Sequence, residues 1–411
     1  MSGELLTYVV GRAQGGLEIG KTVDLFRRYA YIEHSCVRAL AGWFLKNPDW
    51  ETKIVLGYAL FAHSERLYEL HGRLEEMRGG NRNANLEPEL DRFGEEILHA
   101  PDKEGFTAGL ILVLHRLEAA YREHLDATDA SANALEIRML RRLLQDVAQE
   151  IADLEKLGHT EPSGAQNREA TRAWACYLDS LLRVTGGIGG MQPREGGAVS
   201  RPVESIRFEW PMSIHFDERL QTAEMGTYES KKSLPLRERC IGEFEVYFNE
   251  FYAAAQLATV IYESWKLNAP RQYFMDIAHH FWDEVRHAEF GAIRLRELGR
   301  EPNKINMVLF EQSRNMPLLH RLCYLTLGLE VFFMPRKSER VRYYEQQRDF
   351  RSQLLADVDW SDEVNHVRYG KRWIEYFLQD DARTVEDVQT EISNYLAEFQ
   401  QNMPDGRKAP W

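Results

Sequence analysis

Two short stretches of the chain, Asp283-Glu284-Val285-Arg286-His287 and Asp362-Glu363-Val364-Asn365-His366, share one pattern, Asp-Glu-Val-x-His. After each His an aromatic residue and then a glycine follow at matching offsets, as Phe290-Gly291 and Tyr369-Gly370. On a helix, Glu and His three residues apart project from one face, about 5–6 Å apart at Cβ. One such pair can hold an edge of a metal ion, and two facing pairs can hold two ions. Each pair also has an upstream carboxylate in apolar surroundings. Glu250 lies within Phe248-Asn249-Glu250-Phe251-Tyr252, and Glu330 within Leu327-Gly328-Leu329-Glu330-Val331-Phe332-Phe333. The spacings from Glu250 to Glu284 and from Glu330 to Glu363 suit a helix, a turn and part of a second helix. That geometry returns the second carboxylate to the level of the first across an antiparallel pair.

Glu250, Glu284, His287, Glu330, Glu363 and His366 make four carboxylates and two imidazoles. Oxygen-rich ligation with one nitrogen per ion suits iron or manganese, and the absence of thiolates argues against structural zinc. Four carboxylates buried without compensating charge would be costly, and two divalent ions supply that charge. A lone Glu-x-x-His is more often a solvated pair. The duplication, with an acid upstream of each copy, is what favours ligation, and Glu330 has the least reason to sit where it does otherwise. Nearby groups read more plainly. His279 and His280 are expected at the surface or in packing, and Glu243 as an extra ligand or an exposed acid. Tyr247 is expected in packing, with a redox role as the alternative, and Phe251, Phe290, Phe332 and Tyr369 in the core.

The ordered set Glu250…Asp283-Glu284-Val285-Arg286-His287, repeated as Glu330…Asp362-Glu363-x-x-His366, resembles the ferritin-like di-iron carboxylate superfamily. That group includes di-iron oxygenases, ribonucleotide reductase small subunits, rubrerythrins and ferritins. The resemblance covers roughly residues 240–370. It implies that Glu250, Glu284 and His287 form one half-site and Glu330, Glu363 and His366 the other, with Glu284 and Glu363 bridging the ions. It also implies that Asp283 orients His366 and Asp362 orients His287. Arg286 belongs to the same pattern, and Asn365 departs from it. The implied cofactor is a pair of irons, Fe/Fe or Mn/Fe. The implied activity is a dioxygen-activating oxidase or oxygenase acting on a small organic molecule, with an external electron donor. The alternatives are an iron-handling or peroxide-scavenging protein, which in the rubrerythrin manner would need Cys pairs this chain lacks, and a metal-stabilised scaffold.

These side chains must be placed by helices, and helical periodicity dominates the chain while strand alternation is scarce. Helices are expected near 20–46, 51–78, 104–125, 130–158 and 166–185. Others are expected near 234–268, 270–299, 303–334, 338–357, 361–380 and 384–402, with Ser361 as an N-cap. The expected class is all-α, as two tandem ferritin-like bundles. The domains would be 1–185, a degenerate ferritin-like domain; 186–232, a Gly/Pro-rich linker or cover; and 233–411, the di-metal domain. In the first half, Glu33 and Glu65 repeat the acid spacing, but Tyr68 stands where His would be. Glu118 and the Asp146-to-Glu150 region form a fourth candidate, with Gln149 at the His position. Within 186–232, Ile206 to Met212 is apolar enough to pack on a domain.

A chain of 411 residues can fill more than one core. A formal charge of -13 disfavours a nucleic-acid partner, which is held through Lys and Arg. Four scattered cysteines suit a reducing compartment. Met1 to Lys21 has no signal-peptide pattern and no run reads as a membrane span, so the expected location is cytoplasmic. A homodimer is left open.

Overall fold

The computed structural model describes residues 16–79, 87–158, 165–202 and 207–401. The all-α expectation holds. Among the described residues the only strand pairing is a two-residue parallel bridge between β1 (Gln221–Thr222) and β2 (Lys304–Ile305). The chain divides into two compact units, one of Met1–Trp43 with Ala62–Glu209 and the other of Phe44–Phe61 with Trp210–Trp411. The break between Glu209 and Trp210 lies within the 186–232 segment, and Phe44–Phe61 groups with the second unit.

The first unit contains most of α1 (Ile19–Lys46), the later part of α2 (Trp50–Glu76), and α3 (Pro88–Glu96), which periodicity did not reveal. It continues with α4 (Lys103–Asp126), α5 (Ala134–Gly158) and α6 (Ala165–Val184). Asp102 caps α4 by accepting from the Gly105 amide at 2.7 Å. The glycine-rich turn after α6 belongs here too. Arg28 donates to the carbonyls of Ile188, Gly187 and Thr185 at 2.7, 2.9 and 3.2 Å. Gly186, Gly187 and Gly190 have positive φ, a conformation that side chains disfavour.

In the second unit, α7 (Tyr228–Lys232) precedes α8 (Leu236–Phe248), α9 (Phe251–Glu263) and α10 (Arg271–Glu297). Then come α11 (Val308–Ser313), α12 (Leu318–Cys323), a π-helical turn over Tyr324–Glu330, α13 (Val331–Gln347), α14 (Phe350–Phe377) and α15 (Val385–Gln401). Several boundaries differ from those read from periodicity. The expected 234–268 helix breaks at Asn249-Glu250, and the 318–347 run continues through Pro335. It stops at Arg348, whose left-handed φ of 57° closes α13. Asp349 then caps α14 by accepting from the Ser352 amide. Ser361 therefore lies inside α14 and is not a cap, because the break falls a dozen residues earlier. Ile206 of the apolar 206–212 stretch lies outside the described residues, as do Met1 to residue 15 of the N-terminus.

The run 318–347 is long and apolar enough, by length and composition, to cross a membrane. It carries Arg321 and Glu330, and half of its most apolar window is buried in the protein.

The paired glycines have a packing reason. A Cβ on Gly291 would fall on the backbone N and Cα of Phe248, and one on Gly370 on the Thr326 side chain. Each glycine lets its helix close on the segment that carries Glu250 or Glu330. Gly291→Ala is expected to cost about 1–3 kcal/mol, the usual penalty of overpacking. It should also loosen metal binding by displacing Glu250, which thermal melts and metal titration of the variant would read.

Candidate metal centre

Four helical stretches of the second unit converge on one buried cluster of acids and imidazoles. Both upstream glutamates sit at helix irregularities, Glu250 at the α8–α9 break and Glu330 at the end of the π-helical turn. Such departures from α geometry re-aim a side chain, and π turns are frequent at functional sites. The break at Glu250 is held by Asn249, which donates to the Asn306 carbonyl at 3.0 Å and accepts from its amide at 2.6 Å.

All six expected ligands meet there, with two more. Ligating atoms of His280, Glu284, Glu330 and His366 lie within 4.8 Å of one another, and so do those of Glu250, His287, Asp359 and Glu363. All eight side chains are buried. Glu284 and Glu363 fall in clusters opposite to the half-sites expected for them, and each reaches across. Glu284 Oε1 is 3.3 Å from His366 Nδ1, and its Oε2 is 3.7 Å from His287 Nδ1. Glu363 Oε2 is 3.8 Å from His366 Nδ1. Carboxylates placed this way can bridge two ions.

His280 and Asp359 escaped the sequence reading, which put His280 at the surface or in packing. Both lie four residues before a motif Glu, one turn back on the same helical face. That spacing was the available signal, and it was hidden because the two halves carry different residue types there. His280 is fully buried, stacks on His366 with centroids 3.7 Å apart, and places Nε2 2.7 Å from Glu330 Oε1.

The acid preceding each motif Glu lies against the motif imidazole of the other copy. Asp283 Oδ2 lies 3.1 Å from His366 Nε2, and Asp362 Oδ2 3.2 Å from His287 Nε2. Each bond fixes the imidazole with Nδ1 turned to the cluster. Arg286 pairs with both Asp283 and, at 2.8 Å, Asp362. One guanidinium therefore serves both halves, which explains why Asn365 can stand at the matching position.

The remaining candidates have structural partners. Glu243 is buried, accepting from Arg239 at 2.9 Å and Tyr344 at 2.7 Å, with Arg340 3.2 Å away. It is neither exposed nor in a ligating cluster. Tyr247 donates to Asp359 at 2.9 Å and accepts from Arg340.

The donor set fits metal ions. Glu250 Oε2, both nitrogens of His280, His287 Nδ1, both oxygens of Glu330, Glu363 Oε2 and His366 Nδ1 are buried without a hydrogen-bond partner. Several of these atoms approach one another closely, yet not along hydrogen-bond directions, as donors aimed at a common point do. Leaving so many buried polar atoms unpaired is costly unless cations complete them. Burial pushes the Glu250 carboxyl up to about 7 and raises that of Glu330. Glu363 also feels burial, but Lys337 and His366 outweigh it and hold it at about 2. Cations entering such a site displace protons.

The second cluster contains a cation of its own. Lys337, buried, places Nζ 2.5 Å from Asp359, against Glu363, and 3.6 Å from Glu250. Its burial penalty is outweighed by those three acids, and its pKa is raised. The ammonium competes for the charge that an ion beside His287 would use. Lys337→Met is therefore expected to tighten the weaker of two metal-binding steps by roughly tenfold or more, the scale of one removed like charge. Equilibrium titration with Co(II) would show it.

Residues 241–411 match the protein family DUF455, described as proteins of unknown function. The matched stretch contains all eight side chains that could hold metal, with Asp283, Asp362 and Lys337. No curated protein and no solved structure matches the chain.

In the first unit the expected acids only partly meet. Glu33 and Glu150 are buried together, but their partners are His63 and Arg66. Arg66 donates to Glu33 at 2.9 Å and lies 2.8 Å from Glu150. His63 contacts Glu33 and lies 3.0 Å from Glu150, and Tyr121 donates to Glu33 at 2.9 Å. Glu65 is exposed and Glu118 pairs with Arg122. The helix face is rotated from the expected register, so His63 and Arg66 point inward where Glu65 and Tyr68 were expected.

Proposed function

We propose that both units are ferritin-like bundles, and that the second holds a pair of irons used to activate dioxygen for oxidation of a small organic molecule. The observation that carries this reading is the buried set of eight donors in two clusters, shared through Glu284 and Glu363, with a cavity reaching Glu250, Glu284, Glu330 and Glu363. His280, Glu284, Glu330 and His366 would hold one ion, and Glu250, His287, Asp359 and Glu363 the other. Bound iron supplies the redox equivalents and open coordination positions that dioxygen reduction needs. The protein contributes position and dryness. Asp283 and Asp362 hold the imidazoles, Arg286 holds both acids, and Tyr252, Leu309 and Leu325 wall the cavity. The first unit has a guanidinium where the second has ligating atoms, which supports a structural role for it. An external reductant is required for turnover.

Anaerobic Fe(II) loading to two ions per chain, followed by oxygen, tests the proposal. A transient absorption band that decays faster with an oxidisable substrate supports it. Iron uptake far beyond two per chain with mineral growth would favour iron handling, and tightly held metal inert to oxygen would favour a scaffold.

A further inference from the structure

The cavity that reaches the donor cluster has a volume of about 130 Å³. Its lining combines the donor carboxylates with residues Met225–Tyr228, Lys231 and Arg336 and the apolar Val246, Leu309 and Leu325. Met225–Tyr228 and Lys231 come from the 186–232 segment read as a linker or cover. The segment is pinned by the β1–β2 bridge and by Asn306, which donates to the Ala223 carbonyl at 3.1 Å.

Four basic side chains line this cavity, and two are already neutralised. Lys337 sits among Glu250, Asp359 and Glu363, and Arg340 is engaged by Glu243 and Tyr247. Among the described residues, Lys231 and Arg336 have no carboxylate within ion-pair distance. Lys231 is only 6% exposed and donates to the Gly226 carbonyl at 3.1 Å. Arg336 lies over the rings of Phe332, Phe333 and Tyr228, 4.8, 5.1 and 5.8 Å from their centroids. The acids nearest Lys231 are taken, Glu243 by Arg239 and Arg340, and Glu245 by Lys304 at 2.8 Å. Lys231 is also given room, since a Cβ on Gly242 would come within 3.2 Å of its Cε. A buried ammonium with a carbonyl for its only partner is costly, and its burial depresses it to about 8. An arriving anion would offset that cost.

We infer that the cavity binds a small organic anion, its carboxylate or equivalent head seated by Lys231 and Arg336 and its apolar body lying against Val246, Leu309 and Leu325. This names the substrate class for the oxidation proposed above and rests on that reading. Because neither Lys231 nor Arg336 has a donor carboxylate in ion-pair distance, a head seated on them lies apart from those carboxylates and leaves the body free to face the metal centre.

The test uses the full chain loaded with zinc, which is redox-inert, with metal content measured on the same sample. Phenylacetate, phenylacetamide and phenethylamine share a body and differ in charge. Calorimetric titration is expected to rank phenylacetate tightest, by roughly tenfold over the amide, as for one added charge-assisted contact. The double variant Lys231→Met, Arg336→Met should lose that preference with metal content unchanged, whereas Lys231→Arg should keep it. Gly242→Ala, which crowds the Lys231 stem, should weaken it. Equal or tighter binding of the amide or the amine, or a preference for phenylacetate that survives the double substitution, overturns the inference. Metal bound without anion preference removes this inference alone; failure to bind metal removes the reading beneath it.

Discussion

Glu330→Ala and His366→Ala are each expected to weaken metal binding by roughly a hundredfold or more, while Glu65→Ala leaves it unchanged. Loss of an outer-shell partner alone typically costs 10–100-fold in affinity, and these two side chains lie inside the four-donor cluster with His280 and Glu284. Glu65, by contrast, is exposed on the first unit. The reduced metal content should not reflect unfolding. Removing Glu330 takes away one of several crowded, buried carboxylates, so the metal-free variant should melt at or above the parent temperature. Metal analysis after dialysis, paired with thermal melts, separates the two effects. Unaltered metal content in both variants would rule out the ligand assignment. His280→Ala should behave as His366→Ala does, since the structure gives His280 an equal place in that cluster.

The second large effect belongs to the first unit. Arg66→Met is expected to destabilise it by about 3–5 kcal/mol, the cost of leaving a buried charge without its partner. Arg66 lies between Glu33 and Glu150, with all three buried, so its loss leaves the two acids without their guanidinium, with His63 and the Tyr121 hydroxyl as remaining partners. The same quartet sets an acid limit. Burial would raise the Glu33 carboxyl, but Arg66 and His63 outweigh it and hold Glu33 at about 2, below the ordinary 4.5. A depressed folded-state pKa contributes stability that is whole above about 4.5 and is lost as pH falls towards about 2. Chemical denaturation between those limits should show the loss, and Glu33→Gln should flatten it while lowering stability at neutral pH. A neutral-pH stability unchanged in Arg66→Met would show that the quartet does not hold the unit together.

How much of this was legible beforehand depends on the range of the interaction involved. The Glu-x-x-His copies are local: three residues on a helix fix which side chains share a face, whatever the tertiary fold does. The same rule makes Asp283 and Asp362 readable as neighbours of the motif, although their cross-pairing with His366 and His287 came only through the resemblance. The glycines at 291 and 370 were visible as a repeat, but the reason for them, contact with Phe248 and Thr326, depends on which helix packs there.

By itself, then, the sequence determined the helical class and the six acid and imidazole positions, because short-range periodicity and spacing encode them. Tertiary structure alone decided that His280 and Asp359 join the cluster, and that Lys337 lies among three carboxylates. It also decided that His63 and Arg66 stand where Glu65 and Tyr68 were expected. Each of these depends on the rotation of one helix against another. A rotation of one residue, about 100° on an α-helix, moves a side chain from water into the core, and no local pattern records it.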